Sequence, residues 1–450
     1  MQLVAYGAQD VYLTGQPKVT FFQAIYKRHT NFAMEVIQQT VNGSASNGGR
    51  VSVTIARNGD LVGNMFVALN PQPSTIANGS ALAGTSTNTV YDANWVAERA
   101  IQDLELTIGG QRIDKHYQAW WRLYAELFLS EMDKLDWNKM TTASGIPNAN
   151  TRVYLPLIFF FNRNPGLYLP LIALQYHEVR LDFNLTPYFG NYFNTSIFEV
   201  WANYVYLDTE ERRRFAQKGH EYLIEQVQHT GADSVTIGTT DSTSLIRLSY
   251  NHPVKELIWC YTNPSYPGTV TSTTVGTQLN SVWNFTTNCA NVNVTSNLQL
   301  ISNTNNYVLP HQLGSPFVYT GALIAGQSNQ SVMAEDGYST LSYETGPLQA
   351  FKLILNGQDR FAQQYGKFFN QVQPYYHHTG NPYPGIYCYS FALQPEEHQP
   401  TGTCNFSRID NAQVSVITKA GTTTSQQRMF AVNYNILRIS SGMGGLAFSN

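Results

Sequence analysis

The sequence predicts an all-β chain built from two similar domains, and three observations carry that prediction. The chain has 450 residues, too many for one ordinary core and suited to two domains of roughly 200 residues each. Short runs rich in Val, Ile, Thr, Tyr and Phe recur along its whole length, separated by Gly, Pro and Asn. The chain also holds 28 Tyr and 23 Phe, residue types that favour strands over helices.

In the first half the strand-like runs fall at residues 32–41, 50–55, 61–69, 104–108 and 153–161. In the second half they fall at 244–248, 257–261, 348–355, 387–393 and 413–417. Many strands with turn residues between them indicate β-sandwiches or barrels. Helical signals are few. Residues 116–129 place Tyr117, Trp120, Trp121, Tyr124 and Leu127 roughly at helical spacing, and residues 215–228 form a weaker candidate. Residues 155–174 are the most apolar, but Arg163, Asn164, Pro165, Gly166 and Pro170 interrupt them. A membrane span needs about 20 predominantly apolar residues. This region therefore reads as two buried strands joined by a turn.

Four stretches (70–94, 138–150, 262–306 and 325–339) are dominated by Ser, Thr, Asn and Gly, and two fall in each half. They offer no core face, so they are expected to project from the surface. A short internal repeat accompanies them. Gly110-Gln111-Arg112-Ile113 precedes Tyr117, and Gly357-Gln358-Asp359-Arg360-Phe361 precedes Tyr365, each just after a strand-like run. The reading is a strand ending in a glycine turn, then an Arg and an apolar residue entering a helical turn, present twice. Between the copies, Asp208-Thr209-Glu210-Glu211-Arg212-Arg213-Arg214 is the most charged stretch. Its opposite signs fit a solvated connector helix better than a phosphate site.

Composition excludes several function classes. Charged residues are 13% of the chain, about half the usual share, and the net charge is −3. A weakly charged, Tyr-rich surface is compatible with extensive subunit contacts. No basic run exceeds the three arginines, so direct nucleic-acid binding is not expected. Cys260, Cys289, Cys388 and Cys404 are scattered, which implies free thiols in a reducing compartment and no zinc site. The N-terminus lacks the basic region of a secretory signal.

Tempting chemical groups have simpler readings. Glu396 and Glu397 are adjacent and point apart on an extended chain, so Glu396-Glu397-His398 reads as a solvated turn between prolines. His377-His378 lacks further ligands at metal-binding spacing and reads as a loop or interface pair. Cys404 with His398 shows no sign of an activated thiol. Ser441-Gly442-Met443-Gly444-Gly445 has no following helix or Lys to build a phosphate cradle, and its glycines serve close packing or positive φ. No catalytic, cofactor or metal site is expected. Asn284, Asn293 and Asn329 lie in sequons within the polar stretches and are candidate glycosylation sites.

Several blocks resemble the major capsid proteins of nucleocytoplasmic large DNA viruses. They begin with Gly7-Ala8-Gln9-Asp10-Val11-Tyr12-Leu13-Thr14-Gly15 and Tyr26-Lys27-Arg28-His29-Thr30-Asn31-Phe32. The connector from Tyr206 to Ala216 and Asn251-His252-Pro253-Val254-Lys255-Glu256-Leu257-Ile258-Trp259 continue them. Phe391-Ala392-Leu393-Gln394-Pro395, Gln399 to Arg408, and Tyr434 to Ala447 complete the series in family order. The resemblance implies two consecutive eight-stranded jelly-roll sandwiches, a double jelly roll with a few short helices. It places an inner-face segment at 1–31, the first jelly roll at 32–208, a connector at 209–235 and the second jelly roll at 236–450. It further implies a non-enzymatic homotrimer that tiles an icosahedral virion shell. Its partners would be neighbouring trimers, minor capsid and penton proteins, and an internal viral membrane. Synthesis in the host cytoplasm without secretion goes with that role. A minor capsid paralogue of the same fold, or a carbohydrate-binding or carbohydrate-cleaving β-sandwich, are the alternatives.

Overall fold

A computed structural model describes residues 26, 28–71, 76–77, 89–92, 95–141, 152–187, 189–235, 242–262, 269–271, 347–382, 385–418 and 426–448. Most of the 1–31 segment and of the four polar stretches, with Asn284, Asn293 and Asn329, lies outside them. Among the described residues the first half holds, besides shorter strands, β1 Phe32–Gln39, β2 Arg50–Thr54, β3 Leu61–Pro71, β4 Ile101–Ile108, β5 Gln111–Tyr117, β6 Val153–Pro156, β7 Val179–Leu185 and β8 Phe193–Leu207. The second half holds, besides other short strands, β9 His220–Ser234, β10 Ser242–Leu248, β11 Pro253–Thr262, β12 Leu348–Leu355, β13 Gln358–Asp359, β14 Ile386–Ser390, β15 Ala412–Thr418 and β16 Gln426–Ser440.

Pairing repeats with this numbering. In the first half β1 pairs with β8, β8 with β3 and β3 with β6, while β2, β7, β4 and β5 form the facing sheet. In the second half β9-β16-β11-β14 and β10-β15-β12-β13 repeat the same orders, all antiparallel. First strand against last, with consecutive strands alternating between two sheets except at the hairpin joining the fourth and fifth, is the jelly-roll connection. The chain is a double jelly roll.

Alternation explains why these residues form strands. β15 reads Ala412, Val414, Val416 and Thr418 buried, with half-exposed residues between them. The second core gathers Leu257, Trp259, Tyr261, Phe351, Leu353, Val414 and Val416. Trp259 stacks on Phe351 with ring centres 4.4 Å apart and lies 5.8 Å from Tyr387. In the first core, Val51, Val53, Val67, Leu69, Leu104, Leu106, Leu181 and Val200 meet between the sheets.

The short internal repeat marks the same hairpin in both halves. Gly109 and Gly110 have φ of +58° and +82°, and Asn356 and Gly357 have +52° and +76°. Positive φ at both turn residues matches the twist of the strands they join, and Gly and Asn tolerate it best. The residues after each turn pair back as β5 and β13, whereas the sequence reading sent them directly into a helical turn.

Two further expectations are corrected. Residues 215–228 are helical only as far as Gln217: α3, Thr209–Gln217, is the connector helix, and from His220 onward the chain is β9, paired along its length with β16. Both sides of β9 are partly covered, so its sequence lacks the clean alternation of a one-faced strand. Residues 155–174 are not two simple strands. After β6 come a helical turn, Phe160–Arg163, a 3-10 turn, Pro165–Leu167, and a two-residue strand, Leu169–Pro170. Phe159, Phe160 and Phe161 are all buried, which successive residues of a one-faced strand cannot be. Asn162 holds the turn by accepting from Phe159 N (3.2 Å) and donating to Gly63 O (2.8 Å).

Truncating Trp259 to Ala removes the centre of the second core. The expected cost is about 3–5 kcal/mol, read as a lower urea midpoint for unfolding of the second sandwich.

Candidate functional site: the seam between the sandwiches

The second sandwich has a sheet that is apolar on both faces. Along β11, β14 and β16, Leu257, Trp259, Tyr261, Tyr387, Met429 and Ala431 point into its own core. The alternate residues Ile258, Cys260, Ile386, Cys388, Phe430 and Val432 are equally buried but belong to the cluster of the first sandwich. What covers them comes from β5 and from α1, Gln118–Leu127. The sequence predicts this helix from the spacing of its aromatic residues. Trp120 lies 5.6 Å from Phe430, Tyr117 packs edge-on against His229 at 4.8 Å, and His229 stacks on Phe430 at 4.3 Å.

Polar contacts fix the register of this apolar seam. Val227 N donates to Asp114 Oδ1 (3.0 Å), and the Gln226 amide donates to Ile113 O. Gly380 N donates to Leu127 O (3.0 Å), and the fully buried Lys134 of α2, Glu131–Thr141, donates to Asn381 O (2.8 Å). Tyr176 N donates to Gly442 O (2.9 Å) at the C-terminal hairpin, where Ser441 and Gly442 take φ of +54° and +79°. A Cβ on Gly442 would meet the Tyr176 ring at 2.5 Å. The glycine run thus serves positive φ and close packing, as the sequence implies.

Two charged groups sit at the seam, one centred on buried Glu225 and the other on a buried His378 side chain. Glu225 of β9 receives Arg163 of the first sandwich at 2.9 Å and Lys255 of β11 at 2.6 Å, and Lys255 also donates to Pro395 O. Burial alone would raise the Glu225 pKa, but the two cations outweigh it and hold the carboxyl below its ordinary 4.5. The other group is His378, with Nε2 3.0 Å from Glu256 Oε2 and Nδ1 3.1 Å from Glu396 Oε1, its ring edge-on to Phe128 at 5.1 Å. Burial opposes its charge, yet Cys388 and then Glu256, through charge and hydrogen bonds, hold its pKa well above 6.5, while burial pushes the Cys388 thiol up against the opposing pull of His378.

Several residues singled out by sequence are placed at or near this seam. His378 is an interface histidine, as expected, and His377 accompanies it with Nδ1 3.0 Å from Leu393 O. Glu396 departs from the solvated-turn reading because it also accepts from Thr379 N at 2.9 Å. Among the described residues no three His, Cys, Asp or Glu side chains gather as metal ligands. Arg212 of the connector helix pairs with Asp60 at 3.0 Å, and Asp60 also accepts from Leu207 N. Sequence reasoning missed Arg163, Glu225 and Lys255. They are far apart in the chain, and no local spacing signals their convergence.

Glu225→Gln leaves Lys255 and Arg163 without their shared carboxylate, at an expected cost of about 3–5 kcal/mol. Because the folded pKa lies below 4.5, the stabilisation is complete above that value and is lost as pH falls through the lowered one. Urea unfolding of wild type and variant should differ most above pH 4.5 and converge in stronger acid.

Comparison with known proteins places this architecture. A family model described as large eukaryotic DNA virus major capsid protein matches residues 211–445, and one described as major capsid protein N-terminus matches 20–208. The chain is 43% identical over 486 aligned positions to the major capsid protein of Paramecium bursaria Chlorella virus 1, covering 100% of this chain and 99% of that one. It is 39% identical to the major capsid protein of Phaeocystis pouchetii virus, again covering 100% and 99%. Among solved structures, a chain of the PBCV-1 virus capsid quasi-atomic model matches with a TM-score of 0.72 and 39% identity, covering 96% of this chain and 100% of that one. The Faustovirus major capsid protein shares the fold alone, with a TM-score of 0.64 at 12% identity, covering 97% and 94%. With relatives this similar over its whole length, and with two jelly rolls joined at a buried seam, the chain belongs to the major capsid proteins of large eukaryotic DNA viruses.

Proposed function

We propose that the chain assembles as a homotrimer whose six sandwiches form a pseudo-hexagonal block, and that such blocks tile the facets of an icosahedral shell. Its role is structural, as a capsid protein of the virion, and not enzymatic. The observation that carries the trimer reading is the strand-for-strand equivalence of the two sandwiches. Three copies of a two-part chain, each part equivalent to the other, make a ring of six similar units closed by heterologous contacts.

In this reading the first jelly roll is 32–208, α3 is the connector, and the second jelly roll begins at β9, since β9 is hydrogen-bonded into the second sandwich. Segment 1–31 faces the shell interior, where minor capsid proteins, penton proteins and an internal membrane are the partners. The polar stretches stand outward, and synthesis takes place in the host cytoplasm. The buried seam supplies the mechanical unit, because the two sandwiches of one chain cannot rotate without exposing Phe430 and its neighbours.

Sedimentation of the purified chain should give a species of about three times the 50.4 kDa chain mass at micromolar concentration. A monomer under those conditions counts against the proposal.

A further inference from the structure

β11 runs from Pro253 to Thr262, where the polar stretch 262–306 begins, and its opposite end borders an open cavity of about 640 Å³. Leu223 of β9 and Ile436 of β16, paired directly across the sheet, line it together with Pro253 and Phe448. Asn251 and Asn405 complete the wall, and among the described residues no Lys, Arg, Asp or Glu side chain lines it. Hydrogen bonds hold the walls in place. Ala447 N donates to Ile436 O (2.8 Å) and the Asn435 amide to Phe448 O (2.9 Å), which fixes the last described residues against β16. On the other side His252 takes φ of +65°, its N donates to Ser407 Oγ (2.8 Å), and Phe406 N donates to its O (3.1 Å). The cavity is part of the hydrogen-bonded frame of the sandwich, and its volume is that of a ligand pocket.

The lining selects an uncharged guest. A charged group placed there would lose water and meet no opposite charge. The Asn251 side chain offers a donor and an acceptor, the complement of a peptide group, and Asn405, whose Oδ1 already accepts from Ser407 N, keeps its donor. Phe448 is 59% exposed although it lines the cavity, so an apolar ring has surface to bury against it. A neutral, extended stretch of polypeptide with apolar side chains meets all of these conditions. The chain has such a stretch outside the described residues. Residues 1–25 include Tyr6, Tyr12, Phe21 and Phe22, with Asp10 and Lys18 as their only charged side chains. They join the first sandwich at the end where the cavity lies. Phe32 pairs with Leu207, the last residue of β8, and α3 leads from there to His220, the first residue of β9. The nine-residue α3 spans about 13 Å and His220–Leu223 about 10 Å, within the roughly 33 Å that an extended chain covers from Phe22 to Phe32.

We propose that the Phe21-Phe22 pair seats in this cavity and ties residues 1–25 to the second sandwich of the same chain. The tether favours the chain's own segment over a neighbour's, because a short linker holds its guest at an effective concentration in the millimolar range. The start of the chain, which leads into the first sandwich, is then anchored on the second. This rests on the reading that segment 1–31 lies at the interior end of the molecule, and it names the surface that holds the segment there.

The test uses the full chain with the photo-cross-linker p-benzoylphenylalanine in place of Phe22. After irradiation, mass spectrometry should place the cross-link on Leu223, Ile436 or Phe448, in a band of single-chain mass. Cross-links elsewhere at the same end overturn the cavity and leave the placement of 1–31 standing. Cross-links confined to the end that carries 262–306 overturn both. A two-chain band overturns the own-chain contact and assigns the guest to a neighbour, and an absence of cross-links overturns the proposal. Trypsin supplies a second measurement, since Lys18 lies three residues before Phe21. Phe448→Glu puts a charge on the cavity wall at an exposed position. Cleavage after Lys18 should be at least about ten-fold faster in that variant, with melting unchanged, while Phe448→Leu keeps the wild-type rate. Equal rates in all three proteins overturn the proposal.

Discussion

The rest of the structure depends on one constraint: the β9-β16-β11-β14 sheet is apolar on both faces. A sandwich needs only one such face per sheet, and the other is ordinarily polar and wet. Here Ile258, Ile386, Phe430 and Val432 alternate with Leu257, Tyr387, Met429 and Ala431, and all of them are buried. Left alone, the second sandwich would expose a contiguous apolar patch of the kind soluble monomers avoid. The first sandwich removes it with Tyr117, Trp120 and the helix that follows. Two domains that the chain length suggests as separate cores are consequently one packed body.

Apolar burial has no direction, so register has to come from elsewhere. Asp114, Gln226 and the backbone contacts at Leu127 and Gly442 supply it with hydrogen bonds that fit only one placement. The ionic group of Arg163, Glu225 and Lys255 does the same with larger penalties for error. A buried ion pair adds little net stability over apolar packing, yet breaking it is costly. Such groups discriminate against slipped arrangements more than they strengthen the right one. In a shell built from many copies, a fixed angle between sandwiches matters as much as stability.

The duplicated hairpin shows how a small local rule propagates. Gly109-Gly110 and Asn356-Gly357 turn the chain tightly at the same point of each sandwich. Each hairpin delivers a tyrosine at the end of its second arm and then a helical segment. Within the chain that segment covers a sheet.

Much of the fold was legible in the residues because it rests on local periodicity and turn chemistry. Alternation marked strands such as β12 and β15, the spacing of Trp120, Trp121 and Tyr124 marked α1, and the glycine repeat marked two copies. The family blocks, read as a resemblance, carried the jelly-roll topology, which local pattern does not encode. Tertiary structure alone decided the rest. β9 looked helical because burial on both sides erases the period-two signal. The Phe159–Phe161 run looked like a strand because an apolar run has the same appearance in a strand and a buried turn. The convergence of Arg163, Glu225 and Lys255, and the partnering of His378 with Glu256 and Glu396, join residues distant in sequence. Their proximity is a product of sheet packing. The sequence determined which residues could be buried, and only the packing of one sandwich on the other decided against what.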